Sequence, residues 1–196
     1  IFDALLKLRQ ICCDPRLSSL AGTEPPESAK FKLFIETVSG IVHEGHRVLI
    51  FSQFVKMLNL MHNALANENI SYLQLDGSTK NRDAVVAKFQ QSDAYPVFLI
   101  SLKAGGTGIN LTAADYVIHY DPWWNPAVEA QATDRAYRIG QKNQVVVYKL
   151  ITRDSIEEKI IELQKKKQAL ADNIVGVSDS LDQMLNIDDL NDLLAI

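Results

Sequence analysis

Five short runs of apolar, largely β-branched and aromatic residues punctuate this sequence, and the stretches between them are amphipathic with helical spacing. The runs are Arg47–Ser52, Tyr72–Leu75, Val97–Ser101, Tyr116–Tyr120 and Val145–Ile151. Several are continuously apolar, as in Val48-Leu49-Ile50-Phe51. A strand without a polar side has to be buried on both faces, which suits a parallel sheet between two helical layers. The intervening segments Ala29–Glu44, Gln53–Asn67, Lys80–Gln90, Pro126–Arg138 and Ser155–Ala171 read as helices, with further helical starts near residues 3 and 188. This alternation predicts an α/β fold, an open and mainly parallel sheet with helices on both faces. Ligands of such sheets bind at the loops that follow the strand C-termini.

Local signals sharpen the boundaries. Asn125 stands at an N-cap position with Pro126 at the first helical position, a favourable helix start. Ser155-Ile156-Glu157-Glu158 fits a capping box in which Ser155 and Glu158 satisfy each other's backbone amides. Gly22-Thr23-Glu24-Pro25-Pro26-Glu27 is a turn-rich hinge after the first helix. Gly176 to Ser180 is a second break, leading into the acidic amphipathic segment Leu181–Ile196. The expected organisation is residues 1–28 as an N-terminal helix and linker, 29–153 as the α/β core, 154–175 as a bracing helix and 176–196 as an acidic tail helix.

With 196 residues, 47% hydrophobic and 22% charged, the chain has a globular composition, which argues against disorder and against membrane spanning. Its longest apolar runs are far too short to cross a bilayer. Cys12 and Cys13 are adjacent, neither a disulfide framework nor a metal-ligand spacing, so a reducing, cytosolic compartment is expected as the default. The net charge of −4 argues against a free-standing DNA binder. The charge is uneven, however. Residues 131–172 carry 9 Lys/Arg against 6 Asp/Glu, while residues 173–196 carry none against 5. The chain does not start with Met and turns helical at once, so it is expected to be part of a longer protein.

Four segments carry candidate chemistry. In Lys103-Ala104-Gly105-Gly106-Thr107-Gly108 a buried strand runs into a glycine-rich loop; its amides and hydroxyl suit a phosphate, and a tight strand-to-helix turn would need the same glycines. Gln131-Ala132-Thr133-Asp134-Arg135-Ala136-Tyr137-Arg138-Ile139-Gly140-Gln141 places Arg135 and Arg138 on one helical face, with Asp134 and Arg138 an i, i+4 pair. Two such arginines either clamp a polyphosphate or lace a surface helix with salt bridges, with Gly140 as C-cap. Asp121-Pro122-Trp123-Trp124-Asn125-Pro126 concentrates both tryptophans in one stiff loop, for a partner, a base or the core. In Leu75-Asp76-Gly77-Ser78-Thr79, Ser78 or Thr79 would cap the next helix, and Ser52 could equally be an N-cap. The four histidines lack metal-ligand spacing.

Taken in order, these segments from about Lys30 to Leu170 resemble the second RecA-like lobe of superfamily-two helicases, and within them the SWI/SNF-type DNA-translocating ATPases. Val48-Leu49-Ile50-Phe51-Ser52-Gln53-Phe54 matches motif IV, and Leu75-Asp76-Gly77-Ser78-Thr79 the segment after it. Lys103 to Leu111 matches motif V, Asp121 to Pro126 the segment between motifs V and VI, and Gln131 to Gln141 motif VI. The Ser155–Ala171 helix resembles the brace that leaves this lobe.

The resemblance implies roles. Arg135 and Arg138 become arginine fingers reaching the γ-phosphate of ATP, where positioned cations are the main catalytic lever. Gln131 lines the same cleft, Asp134 orients an arginine, and Gly105, Gly106 and Thr107 couple the cleft to DNA. Ser52, Gln53, Gly77, Ser78 and Thr107 contact phosphates of the tracked strand; Trp123 and Trp124 lie near the lobe interface. Neither a Gly-Lys-Thr phosphate loop nor an Asp-Glu-x-His motif occurs in this sequence. The resemblance assigns both to a first RecA-like lobe, expected N-terminal to Ile1, which would hold most of the ATP and Mg2+. The partners implied are that lobe, double-stranded DNA and nucleoprotein complexes, with no membrane, and the 196 residues alone are expected to be inactive. The alternatives are a non-catalytic DNA-phosphate-binding module and, less well matched by the intact arginines, a protein-binding scaffold.

Overall fold

The structure is a computed structural model that describes residues 2–18, 25–104, 109–138, 140–141, 143–173, 189–190 and 193. Helix α1 (Phe2–Cys13) and a 3-10 turn (Pro15–Leu17) precede the core. The core runs α2 (Ala29–His43), β1 (Val48–Ser52), α3 (Val55–Asn67), β2 (Tyr72–Leu75), α4 (Arg82–Gln91), β3 (Val97–Ser101), β4 (Tyr116–His119), α5 (Pro126–Thr133), β5 (Val146–Lys149) and α6 (Ile156–Asn173). The strands form one sheet in the order β2-β3-β1-β4-β5 with every pairing parallel. This is the RecA-like α/β architecture expected above.

Burial explains why the apolar runs became strands. Every residue of β1 and β3 is buried, and side chains alternate between faces. Val48 and Ile50 pack with Val97, Leu99 and Ile118 beneath Phe34, Val38, Met57, Met61 and Leu65 of α2 and α3. Leu49 and Phe51 point the other way, joining Phe98, Ile100 and Val117 under Phe89 of α4 and Ala132 of α5. Each fully buried side chain of this size contributes about 1.5–3 kcal/mol relative to exposure. The edge strand β5 instead exposes Val147, Tyr148 and Lys149. Its lysine is the kind of charge that discourages edge-to-edge pairing.

The helix ends obey local chemistry. Ser28 caps α2 by accepting from the Phe31 amide (3.2 Å). Its far end closes with Gly45 at φ +83, the Gly45 amide donating to Val42 and the His46 amide to Ile41. That is a Schellman motif, in which glycine alone adopts the left-handed position without strain. Asn69 at φ 56 ends α3 the same way.

Several boundaries differ from the sequence expectations. Helix α5 ends at Thr133 rather than Arg138, with Asp134 as C-cap, so Arg135 and Arg138 do not ride one helical face. Helix α4 begins at Arg82 and is capped by Asn81, whose Oδ1 accepts from the Ala84 amide, not by Ser78 or Thr79. Phe54, without a side-chain bond, is the N-cap of α3. At α6 the Ser155 hydroxyl accepts from the Glu157 amide and the Glu158 carboxylate from the Asp154 amide, a capping box displaced by one residue at each partner. Residues 19–24, 105–108 and 174–188 lie outside the described residues, and with them most of the hinge, the glycine loop and the second break.

A third apolar cluster stands apart from the sheet. Leu5 of α1 meets Ile156, Ile160 and Leu163 of α6, together with Leu190 and Leu193. Asp189, Leu190 and Leu193 are helical, as the tail pattern suggested at those positions. Among the described residues no helix is long and apolar enough to cross a membrane.

Candidate functional site

Because all five strands are parallel, the loops after β1, β3 and β4 gather at one edge of the sheet, where β1 lies between the other two. They enclose a cavity of about 300 Å³ lined by Gln53, Leu102, Lys103, Trp123, Asn125 and Val128. Lys103 is exposed there, immediately before the glycine loop; Gly105, Gly106 and Thr107 themselves lie outside the described residues.

Asp121 organises this edge. It is 4% exposed, and its carboxylate accepts the Ser52 hydroxyl at 2.6 Å and the Gln53 amide at 3.3 Å. Ser52 is itself buried and also accepts from the Phe54 amide, so both sides of its hydroxyl are used within the protein. Gln53 is half-buried, its side chain donating to the Pro122 carbonyl at 3.4 Å. Burial pushes the Asp121 carboxyl above the usual carboxylate range, and Arg9, the Ser52 hydroxyl and the Gln53 amide pull it back.

The tryptophan loop is held from both sides. Trp123 and Trp124 lie with ring centroids 3.4 Å apart, both half-buried. Trp123 packs on the sheet cluster beneath α5, and Trp124 on the cluster between α1 and α6. The Glu129 carboxylate accepts the Trp123 amide at 2.6 Å and pairs with Lys149 at 2.6 Å. Gln164 of α6 donates to the Trp123 carbonyl. Asn125 caps α5 through the Ala127 amide at 2.9 Å, as expected.

The segment after β2 forms a separate turn two strands away from β1. Asp76 accepts the Ser78 hydroxyl (2.6 Å) and amide (2.8 Å), and Thr79 accepts from the Asp76 amide. These bonds hold the Asp76 carboxyl below its usual range, chiefly through the Ser78 hydroxyl. Gly77 and Ser78 are exposed, but the Ser78 donor is already spent on Asp76.

Arg135 is the unusual residue of the motif VI segment. It is only 2% exposed, in the turn after α5, with its carbonyl accepting from the Leu111 amide at 2.9 Å. Its Nε and Nη1 are buried and find no hydrogen-bond partner among the described residues. Burial lowers its pKa, and the neighbouring charge of Arg138 lowers it further. A buried guanidinium beside a second cation is chemically suited to an anion. Arg138, Gln131 and Asp134 are exposed. Gln141 clasps the end of this segment to the entry of β4, donating to the Ala114 carbonyl at 2.7 Å, and Gly140 turns the chain at φ +109. Among the described residues no group of three or more His, Cys, Asp or Glu gathers as a metal site.

Sequence reasoning missed Arg9, Lys30 and Glu157. Arg9 sits in α1 at the spacing of the buried positions Leu5, Arg9 and Cys13, an arginine inside an apolar stripe, and that was its signal. The Lys30 ammonium meets the Glu157 carboxylate at 2.6 Å and donates to the Tyr120 carbonyl at 3.2 Å, joining α2 to the start of α6. Its signal was absent, since the two residues are 127 apart in sequence.

Comparison with known proteins agrees with this architecture. Residues 29–140 match the family described as helicase conserved C-terminal domain. YwqA of Bacillus subtilis is 46% identical over 185 residues, covering 89% of this chain and 20% of that protein. The DNA repair protein rad5 of Neurospora crassa is 40% identical over 186 residues, covering 93% of this chain and 15% of that protein. The crystal structure of the C-terminal part of the Fun30 ATPase domain superposes with a TM-score of 0.72 at 34% identity, covering 96% of this chain and 60% of that one. The chain thus spans only about 15–20% of the length of these two curated relatives. With the parallel sheet, the motif order and these likenesses in agreement, the chain belongs to the helicase conserved C-terminal domain family, in its SWI/SNF-type branch.

Proposed function

We propose that the chain is the second motor lobe of an ATP-driven double-stranded DNA translocase. In this reading Arg135 and Arg138 act as arginine fingers on ATP bound to a first lobe, and the loops at the strand ends meet the DNA backbone. The observation that carries it is the Arg135 guanidinium, buried, without a partner at Nε and Nη1 among the described residues, and close enough to Arg138 for the two charges to repel. A terminal phosphate supplies the missing acceptors, and the planar fork of arginine matches its oxygens. ATP with Mg2+ supplies the scissile phosphoanhydride and the first neutralisation of its charge, with the metal held by the first lobe. The two arginines then neutralise the charge that develops on the transferred group. The name of the Neurospora relative, a DNA repair protein, supports DNA as the partner.

The polar groups of the strand-end loops divide the remaining work. Ser52 and Ser78 spend their donors on Asp121 and Asp76, so they shape the loops. Gln53 and the exposed Gly77 then face the phosphates, joined by Thr107. Trp123 and Trp124 stiffen the edge that meets the first lobe.

The test is made in the motor that contains this chain. Arg135→Ala and Arg138→Ala are expected to lower DNA-stimulated ATP turnover by about 10³- to 10⁵-fold while DNA affinity changes little. Replacement by Lys rescues poorly, because a point charge cannot reproduce the fork. Near-normal turnover in both folded alanine variants would overturn the assignment. DNA binding is expected to be sequence-tolerant and to weaken as salt rises. The 196 residues alone are expected to hydrolyse ATP no faster than buffer.

A further inference from the structure

A second buried arginine, remote in sequence from every motif considered above, reaches the same edge of the sheet. Arg9 lies on α1, outside the sheet, with its side chain 7% exposed. Its Nη2 donates to the Pro122 carbonyl at 3.2 Å and stands 3.8 Å from the Asp121 carboxylate. The guanidinium carbon lies 5.4 Å from the Phe54 ring centroid, 5.2 Å from Trp123 and 5.1 Å from Trp124. One side chain thus contacts the loop after β1 and the loop after β4 together. Behind it, Asp121 binds the Ser52 hydroxyl and the Gln53 amide, so the charge that Arg9 compensates also fixes the end of β1.

The rest of α1 is fastened so that this contact is stiff. The Tyr120 hydroxyl donates to the Cys13 carbonyl at 2.8 Å and the Thr152 hydroxyl to the Cys12 carbonyl at 3.1 Å. These bonds satisfy carbonyls at the end of α1, which a helix C-terminus otherwise leaves open. They tie α1 to β4 and to the start of α6. A shift of α1 therefore moves Arg9, and Arg9 cannot move without depriving the Asp121 carboxylate of its main counter-charge or unstacking three rings.

We propose that Arg9 is a positioning residue which couples helix α1 to the Gln53 and Trp123 walls of the strand-end cavity, so that the placement of α1 sets the geometry of the motor site. Arg9 touches no substrate in this arrangement; it acts through Asp121 and the tryptophan loop. The inference rests on the motor-lobe reading only for its second readout, since the coupling of α1 to the cavity is a property of the chain itself.

The experiment uses Arg9→Lys, Arg9→Met and Arg9→Met with Asp121→Asn. In the 196-residue chain Trp123 and Trp124 are the only tryptophans, so emission and acrylamide quenching report the loop directly. Arg9→Lys keeps a charge for Asp121 but loses the planar contact with the rings. It is expected to fold and to shift emission to longer wavelength with increased quenching. In the motor, Arg9→Lys is expected to lower DNA-stimulated kcat by about tenfold with the KM for ATP within twofold, less than the roughly hundredfold that a misplacement of about 1 Å remote from the chemistry can cost. Arg9→Met is expected to lose more, and adding Asp121→Asn to recover at least threefold by removing the stranded charge. A merely structural role lowers the melting temperature and leaves kcat unchanged below it. Arg9→Lys with unaltered emission, or with kcat within twofold of the parent, overturns the proposal. Arg135→Ala is measured beside it: if that variant keeps full turnover while Arg9→Lys shifts the emission and lowers kcat, the arginine-finger reading falls and the coupling by Arg9 stands.

Discussion

His119 makes the stability of this lobe depend on mildly acidic pH. The imidazole lies at the end of β4, 2% exposed, stacked on Phe51 at 5.5 Å, with Nε2 2.9 Å from the Thr133 hydroxyl. Burial lowers its pKa from 6.5 to about 4; the Glu129 carboxylate opposes this and the Lys149 ammonium adds to it. The unfolded chain therefore binds a proton at this position between pH 6.5 and 4 that the folded chain refuses. Stability from this group is complete above pH 6.5 and falls as the pH drops towards 4. With those two values, the loss at pH 5 relative to pH 8 is about 2 kcal/mol, and near pH 4 it reaches about 3 kcal/mol. Against a typical total of about 5–15 kcal/mol, that is readily measured. The assay is urea unfolding followed by circular dichroism at pH 8 and pH 5, for the parent and for His119→Asn. Carboxylates titrate in both and cancel in the comparison. The parent should lose about 2 kcal/mol more than the variant over this range. Equal losses in the two proteins would refute the reasoning, because they would show that the imidazole is charged inside the fold.

Two further outcomes follow from buried pairs and caps. Lys30→Met strands the Glu157 carboxylate, which is 1% exposed, and should cost about 3–5 kcal/mol in urea unfolding. Adding Glu157→Gln should recover a good part of it, and no recovery would place the cost elsewhere than in the stranded charge. Asn125→Ala removes the bond to the Ala127 amide at the start of α5 and should cost about 1 kcal/mol, while Asn125→Asp should cost far less. Equal losses for Ala and Asp would show that the cap bond carries no stability.

The fold was legible in the sequence because its central strands β1 and β3 are apolar on both sides. Val48-Leu49-Ile50-Phe51 suits a strand buried on both faces of a parallel sheet, and with the amphipathic segments around it the pattern identified β1 and β3 within a residue. The misjudged boundaries share a cause. Helix α5 was extended to Arg138 because the motif has helical spacing, yet the chain leaves the helix at Thr133 so that the Arg135 carbonyl can accept the Leu111 amide. Asn81 rather than Ser78 caps α4 because the helix starts at Arg82, which puts Ser78 three residues before the cap position, held in the Asp76 turn. Such contests among hydrogen bonds are decided in three dimensions and leave no period in the sequence. The same holds for Lys30 with Glu157 and for Arg9 with Asp121, pairs separated by more than a hundred residues. The motif arginines were legible by resemblance. That one of them is buried, with Nε and Nη1 lacking partners among the described residues, was not.

The two buried arginines show opposite physical economies, and substitution by the same residue should separate them. Arg9 has a carbonyl, a carboxylate and three aromatic rings, so Arg9→Met takes from the buried Asp121 its main counter-charge, leaving only the weaker influence of Lys30, and should destabilise the chain by about 3 kcal/mol. Arg135 has no partner for Nε and Nη1 among the described residues and a second arginine as its electrostatic neighbour. A buried polar group left unsatisfied costs about 1–3 kcal/mol. Methionine fills a similar slender volume with no polar atoms, so Arg135→Met should raise the unfolding free energy of the 196-residue chain by about 1 kcal/mol or more. In the motor the same substitution should abolish turnover. Stability gained where activity is lost is the mark of a group held in readiness for a ligand, since a fold under no functional demand would have replaced it. An Arg135→Met chain that unfolds at lower urea than its parent would show that the guanidinium serves the fold, and the case for an anion at this position would fall with it.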